Sequence, residues 1–277
     1  MLLPDTLIWL GLVLLGIAVG SYGTMIGVGG GFVLVPVLLF LYPNDPPDVV
    51  TSISLAVVFF NALSGTLAYV RQGRVDYLAA NSFALATIPG AVLGALTTSL
   101  IPRRAFAAGF ALLLFGVSTL IMFRPTPRAA TRLTRRGEVT RQITDASGDT
   151  FVYSYDLRLG VLLSLVVGFL ASLLGVGGGI IHVPMMVLGL HFPAHLATAT
   201  SQYVLVITSL TGTVAHLLSG QHATGYERTL ALAIGVLIGA QLGAKLSTRL
   251  QGATLVRLLG LALAAVAVRL VVTAIRG

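Results

Sequence analysis

Long apolar runs with short polar interruptions fill almost the whole chain. A helix needs about 20 apolar residues to cross a bilayer. By that measure the pattern predicts six spanning helices, at roughly residues 50–70, 77–100, 104–123, 194–218, 226–248 and 253–275. Two further runs, residues 7–41 and 157–190, each contain a cluster of glycines. The pattern therefore predicts an all-α integral membrane protein.

The run from Leu7 to Leu41 does not fit one straight span. A continuous helix of this length would measure about 50 Å, whereas the hydrocarbon core is about 30 Å thick. The run is also too short for two crossings. We therefore expect a spanning helix to about Met25 and a shorter arm, from about Gly31, that turns back. The second run predicts the same plan, with about eight membrane helices in all and two broken or re-entrant elements.

The glycine cluster occurs twice at one constant offset, with the pattern GVGGG-x4-P. Its members are Gly27, Gly29, Gly30, Gly31 and Pro36 in the first copy and Gly175, Gly177, Gly178, Gly179 and Pro184 in the second. We expect each proline in or near the first turn of its arm, where a missing N–H is tolerated. A triple glycine interrupts a helix, and in hydrocarbon such a break is costly unless it lines a polar site. The duplicated break is therefore the first candidate for the functional centre.

Weaker echoes extend the duplication along the chain. Thr51-Ser52 is aligned with Thr200-Ser201, the segment 64–66 with 211–213, and the GA-x2-GA segment 90–95 with 235–240. Glycines four residues apart let neighbouring helices approach closely. The chain thus divides into a first transmembrane repeat (1–123), a polar Arg-rich connector (124–156) and a second transmembrane repeat (157–277).

The relative orientation of the two repeats is not decided by charge. Parallel and inverted arrangements both place most basic residues on the connector's side, as the positive-inside rule requires. We expect inverted repeats, because the broken runs are short and because paired broken helices form the midplane site of many secondary transporters. Within the connector, residues 139–143 and 150–155 alternate around a turn and predict a small β-hairpin.

Composition excludes several classes of function. The chain of 277 residues is 56% hydrophobic and 9% charged, contains no cysteine and carries a net charge of +8. The basic residues cluster in the connector, which favours anionic lipid over nucleic acid as their partner. The motifs of zinc proteases, serine hydrolases and P-loop enzymes are absent. We expect no enzyme activity, no metal and no cofactor.

Each break predicts an anion site. The second arm begins with free N–H groups at the positive end of a helix dipole, and glycines let these groups converge. Hydroxyl and amide side chains near the breaks could complete such a site: Thr24, Ser172, Thr51, Ser52, Thr200, Ser201 and Gln202. The alternative is that the glycines only permit tight packing while the hydroxyls bond carbonyls of their own helices.

A histidine stands inside the second copy of the motif. His182 occupies the position of Leu34 in the first copy. Titratable groups near the midplane are rare and usually functional, so His182 is a candidate carrier of a coupled proton. The alternative is a neutral imidazole bonded to a backbone carbonyl.

The duplicated motif and the paired GA-x2-GA segments resemble the sulfite exporter TauE/SafE family of bacterial membrane permeases. The resemblance covers the chain outside the Arg-rich connector. It implies a multi-pass protein of the bacterial cytoplasmic membrane that exports sulfite, sulfoacetate or related organosulfonates. It also implies that the segments 27–36 and 175–184 form the substrate region.

Sequence therefore predicts a secondary transporter that exports a small anion by alternating access. Its partners are the anionic substrate, the lipid bilayer and, in one version, protons. An anion channel and a non-transporting membrane scaffold are the alternatives. The substrate, the coupling ion and the oligomeric state are left open.

Overall fold

The computed structural model describes residues 5–123, 138–218 and 225–276. The Arg-rich stretch of the connector, residues 124–137, lies outside them. The described helices and strands are α1 (Asp5–Met25), α2 (Gly31–Leu41), α3 (Pro47–Arg71), α4 (Tyr77–Thr98), α5 (Arg103–Phe123), β1 (Val139–Thr144), β2 (Thr150–Tyr155), α6 (Leu157–Leu173), α7 (Gly179–Pro184), α8 (Ala194–Leu218), α9 (Tyr226–Ser247) and α10 (Gly252–Arg276). A π-helical turn, Met185–Gly189, continues α7.

The helices fit a membrane protein of two similar halves. Six of them, α1, α3, α4, α5, α8 and α9, are long and apolar enough to cross a membrane. The segment Gly252–Val268 of α10 and the 17-residue α6 are shorter apolar helices, as are α2 and the segment Gly179–Gly189. Many large apolar side chains on the long helices are exposed, which is the pattern expected where lipid covers the surface. The predicted all-α membrane fold is confirmed.

The two halves are inverted relative to each other. Helices α3 and α8 run antiparallel, because Thr51 near the start of α3 lies 3.5 Å from His216 near the end of α8. At the opposite end, the backbone N–H of Asp76, just after α3, donates to Thr200 near the start of α8. Helices α3 and α8 occupy equivalent positions in the two halves and are exchanged by a two-fold axis. Because they run antiparallel, one half is inverted relative to the other, and the expected inverted repeat is confirmed.

Glycines allow two further helix pairs to pack with their backbones in contact. Helices α1 and α9 run parallel, as do α4 and α6, and these two pairs are equivalent under the two-fold axis. Gly90 lies against the backbone of Leu165 and Phe169, whereas Gly239 lies against Ile17 and Ser21, the matching positions of the first half. The alignment of segment 90–95 with 235–240 is therefore wrong by one helical turn. The error arose because glycines recur every four residues in α9.

The predicted hairpin is present and is docked on the loop between α3 and α4. Strands β1 and β2 pair antiparallel. Arg74 donates two hydrogen bonds to Asp145 in the hairpin turn, at 2.8 and 3.0 Å, and both side chains are buried. The N–H of Ala146 donates to the carbonyl of Gln72. Burial raises the pKa of Asp145, but the hydrogen bonds from Arg74 and from hairpin N–H groups outweigh it and hold the pKa below its ordinary value.

Aromatic contacts extend this attachment to the segment before α8. The Tyr153 hydroxyl donates to the buried carboxylate of Asp76 at 2.6 Å. The rings of Tyr153 and Tyr155 lie 4.7 and 4.6 Å from that of Phe192. Burial and the Asp76 carboxylate raise the pKa of both tyrosines, so their hydroxyls stay protonated donors. The hairpin thus joins the α3–α4 loop to the entry of α8.

Charged residues also tie the helices together at the opposite end of the bundle. Arg228 at the start of α9 pairs with Asp45 at 2.7 Å and stacks on the ring of Tyr42. Arg103 at the start of α5 donates to the carbonyls of Asp45 and Leu39. The far end of α2 is therefore attached to both α5 and α9.

Candidate functional site

The first break reverses the chain within a few residues after α1. Gly27, Gly29 and Gly30 have φ of 81°, 78° and 84°, which is the left-handed region that side chains disfavour. The N–H groups of Val28 and Gly29 donate back to the carbonyl of Gly23, which closes the end of α1. Glycine is therefore required here by backbone geometry.

The second break has the same backbone path. Gly175, Gly177 and Gly178 have φ of 71°, 74° and 100°. The N–H of Val176 donates to the carbonyl of Ala171, as that of Val28 does to Gly23. The two copies of the motif are therefore structural copies as well.

Each break leads directly into the N-terminus of a second arm. Gly30 caps α2, and its carbonyl accepts from the N–H groups of Val33 and Leu34. Gly178 caps α7 in the same way. The N–H groups at the start of a helix have no partner within that helix, so each arm begins with donors at its positive end.

The two breaks pack directly against each other. A Cβ atom on Gly31 would lie 2.8 Å from the Cα atom of Val176, and one on Gly179 would lie 2.5 Å from that of Val28. Carbon atoms in normal contact stand about 3.5–4.0 Å apart, so only glycine permits this approach. The breaks are buried, and the start of each second arm lies against the break of the other half.

A serine from the opposite half holds each break. The hydroxyl of Ser54 in α3 donates to the carbonyl of Gly175 at 2.6 Å, and that of Ser201 in α8 donates to Gly27 at 2.9 Å. Ser54 was not among the predicted site residues, whereas Ser201 was. The repeat offset between the two breaks, applied to Ser201, points to within one residue of Ser54.

The threonines that contact the breaks differ partly from those predicted. Thr51 lies against Gly175, and its counterpart against Gly27 is Thr198, which we had not selected. The alignment of Thr51-Ser52 with Thr200-Ser201 is therefore wrong by two residues. The sequence 198–201, TATS, offers two threonines, and the pattern alone does not decide between them.

Some predicted residues bond elsewhere. Ser52 donates to the carbonyl of Val49 in its own helix. Thr200 accepts from the N–H of Asp76 at the hairpin end of the bundle. Pro36 lies in the second turn of α2, and Pro184 ends α7 where the π-helical turn begins, so the prolines shape the arms beyond the breaks.

Thr24, Ser172 and Gln202 lie beside the breaks and are buried. Thr24 donates to the side-chain oxygen of Asn61 at 3.2 Å, and the Gln202 amide donates to the carbonyl of Gly23 at 3.5 Å. Ser172 lies against Gly212, as Thr24 lies against Gly65. Within the described ranges, the Ser172 hydroxyl and the Gln202 Oε1 atom have no hydrogen-bond partner.

His182 is buried in α7. Its Nε2 atom lies 3.1 Å from the hydroxyl of Ser164 in α6. Its Nδ1 atom has no hydrogen-bond partner in the part of the chain that the structure describes, and it faces the second break near Gly178. Among the described residues, therefore, no backbone carbonyl accepts a hydrogen bond from the His182 ring.

Comparison with known proteins agrees with this architecture. The family described as "Sulfite exporter TauE/SafE" matches residues 12–270. The chain belongs to the TauE/SafE family. It is 34% identical over 266 residues to the probable membrane transporter protein YunE of Bacillus subtilis (strain 168), covering 94% of this chain and 96% of the relative.

More distant relatives also match over most of their length. A probable membrane transporter protein of Methanocaldococcus jannaschii is 22% identical over 251 residues, covering 86% of each chain. One of Xylella fastidiosa (strain Temecula1) is 27% identical over 258 residues, covering 92% of this chain and 90% of the relative. No solved structure is significantly similar to the chain. This TauE/SafE protein is thus a multi-pass membrane transporter for a small molecule.

Proposed function

We propose that this transporter exports a small oxyanion, sulfite or an organosulfonate such as sulfoacetate, across the bacterial cytoplasmic membrane by alternating access. Family membership supports the substrate class. The meeting of the two breaks at the two-fold axis is the observation that carries the proposal, because it brings two helix N-termini together in the interior of the bundle.

Main-chain N–H groups would be the principal ligands of the anion. The contacts of Gly31 with Val176 and of Gly179 with Val28 place the start of each second arm against the break of the other half. Each helix N-terminus contributes up to about 2 kcal/mol to a partly buried anion. A sulfonate or sulfite group presents several oxygens in a small volume, so it suits donors that converge from two directions.

Neutral side chains next to the breaks would complete the binding site of the anion. The unpaired hydroxyl of Ser172 and the unpaired Nδ2 group of Asn61 are the nearest donors. Neutral donors bind an anion without neutralising it, which keeps release possible. A transporter must release its substrate at every cycle, so a site of moderate affinity fits the function better than a buried ion pair.

Inverted halves provide the alternating access. In this arrangement the breaks are buried from both ends of the bundle. The hairpin contacts, with the buried Arg74–Asp145 pair, close the end that the connector places in the cytoplasm. The Arg228–Asp45 pair closes the other end. Opening one set of contacts at a time would expose the same site first to one side and then to the other.

His182 would couple proton movement to this cycle. Its unpaired Nδ1 atom faces the second break, and its Nε2 atom is held by Ser164. Protonation would place a positive charge beside the anion, which favours the loaded state. Replacing His182 with Gln keeps a polar side chain of similar size and should abolish the dependence of export on a pH gradient while binding persists.

Reconstitution into liposomes tests the proposal. Purified protein should take up labelled sulfite or sulfoacetate with a rate that saturates, and internal unlabelled substrate should accelerate uptake by exchange. Gly178→Ala introduces a side chain at φ of 100° and should reduce uptake at least tenfold. Gly109→Ala, where a Cβ atom meets open space, is the matched control. Uptake that never saturates would indicate a channel, and no uptake of any oxyanion would refute the proposal.

A further inference from the structure

A cluster of three buried polar side chains lies at the end of α1. Thr24, Asn61 and Gln202 come from α1, α3 and α8 and are fully buried. Thr24 donates to the Asn61 Oδ1 atom, and the Gln202 Nε2 atom donates to the carbonyl of Gly23. Two atoms of the cluster, Gln202 Oε1 and Asn61 Nδ2, have no hydrogen-bond partner among the described residues.

This cluster adjoins the start of α2. A Cβ atom on Gly23 would lie 2.3 Å from the backbone N of Gly30, the residue that caps that helix. A Cβ atom on Gly65 would lie 3.2 Å from the Thr24 hydroxyl and 3.4 Å from Gln202 Oε1. Both oxygens therefore lie next to Gly65, on the same side of the cluster.

The second half has no equivalent carboxamides. By the two-fold relation of the breaks, Thr24 corresponds to Ser172, while Asn61 and Gln202 correspond to Thr208 and Leu55. The Thr208 hydroxyl already pairs with that of Thr87 at 2.8 Å. The main chain of the site is therefore symmetric, but its side chains are not.

An unpaired carbonyl oxygen in this position discriminates between ligands. The Gln202 Nε2 atom faces the Gly23 carbonyl at 3.5 Å, so the unpaired atom of the amide is the acceptor Oε1. A buried acceptor without a partner bears its full desolvation cost. It repels the bare oxygens of an anion but binds an O–H or N–H group.

We propose that Gln202 Oε1 accepts a hydrogen bond from the transported anion, so that among oxyanions of equal charge the site prefers those that carry a hydroxyl group or a protonated oxygen. Asn61 Nδ2 would donate to an oxygen of the same ligand. This inference rests on the proposed function and adds a selectivity that main-chain donors alone do not provide. A site built to bind a hydroxyl group rejects analogues that lack it, because its own polar atom is then left unpaired.

Two sulfonates that differ by one hydroxyl group provide the test. Ethanesulfonate and 2-hydroxyethanesulfonate carry the same charge, and only the second has a donor. Each is titrated as an inhibitor of labelled sulfite uptake by liposomes that contain the wild-type protein. We expect 2-hydroxyethanesulfonate to inhibit at a concentration at least tenfold lower.

Variants connect this preference to the residue. Gln202→Leu copies the side chain of Leu55 in the other half and should reduce the ratio of the two inhibitory concentrations to less than about twofold, whatever rate of sulfite uptake the variant retains. Ser209→Ala is the control, because the Ser209 hydroxyl bonds only the Leu205 carbonyl of its own helix among the described residues. This control variant should keep the wild-type preference.

The outcomes separate this inference from the proposed function. Sulfite uptake that both sulfonates inhibit equally, or that neither inhibits, overturns the inference and leaves the proposed function standing. A preference that survives in Gln202→Leu also overturns it. Absence of sulfite and sulfonate uptake by the wild-type protein overturns both. The wild-type comparison stands even if Gln202→Leu fails to fold.

Discussion

Alanine at Gly179 or Gly31 perturbs the contact between the two breaks and little else. Neither glycine has a positive φ, so alanine adds no backbone strain of that kind. A Cβ atom on Gly179 would lie 2.5 Å from the Cα atom of Val28 and 2.7 Å from the carbonyl oxygen of Gly27. Both neighbours are backbone atoms, so no side chain can move aside to relieve the overlap.

The size of the effect follows from these distances. Normal carbon contacts begin near about 3.5 Å, so the breaks must separate by about 1 Å. Overpacking of this kind costs about 1–3 kcal/mol. Displacing the groups of a site by about 1 Å can reduce a rate by about a hundredfold. We therefore expect Gly179→Ala to lower the rate of anion uptake into liposomes between about tenfold and a hundredfold.

Matched variants make this result interpretable. Gly31→Ala makes the equivalent contact with Val176 from the other half and should have a similar effect. Gly116→Ala adds the same atom in α5, where nothing lies within 4 Å, and should transport at the wild-type rate. Wild-type uptake by Gly179→Ala in folded protein would refute the idea that the break-to-break contact forms the site.

The remaining predictions concern contacts that hold the bundle together. Asp145→Asn leaves Arg74 buried without a countercharge, at a cost of about 3–5 kcal/mol, and should raise hydrogen exchange in the hairpin. The pKa of Asp145 is lowered in the folded protein, so the ion pair is intact at neutral pH. It is lost as the pH falls through that pKa, and hydrogen exchange in the hairpin should rise there as well. Ser54→Ala and Ser201→Ala should each destabilise the protein by about 0.5–1.5 kcal/mol in equilibrium unfolding, and by similar amounts, since they make equivalent bonds. Gly239→Leu should lower the melting temperature more than either serine variant, because its side chain would meet the backbone of α1.

Backbone requirements were the features that sequence predicted best. A GVGGG run inside an apolar stretch has few structural solutions, because three of its glycines need a positive φ. The two breaks, the short arms and the hairpin turn therefore follow from local sequence. Inversion of the halves followed from the length of the broken runs compared with the thickness of a bilayer.

Contacts between distant helices were predicted less well. Helix faces repeat every three to four residues, so aligning Gly90 with Gly235 instead of Gly239 leaves the pattern of small residues unchanged. For the same reason Thr198 and Ser54 were not predicted as site residues. Their contacts with the breaks depend on how α3 and α8 cross. The contact of Arg74 with Asp145, which attaches the hairpin, could not be predicted from a local sequence pattern because the two residues lie 71 positions apart.

Labelled backbone amides would test the central claim most directly, since a side-chain substitution does not remove an N–H group. In protein labelled with 15N glycine, addition of sulfite should shift the amide signals of Gly30, Gly31, Gly178 and Gly179 together, with one common affinity. The signals of Gly109 and Gly116 in α5 should stay unchanged. Saturating sulfite that inhibits labelled uptake but moves none of the four break signals would contradict an anion site formed by the breaks.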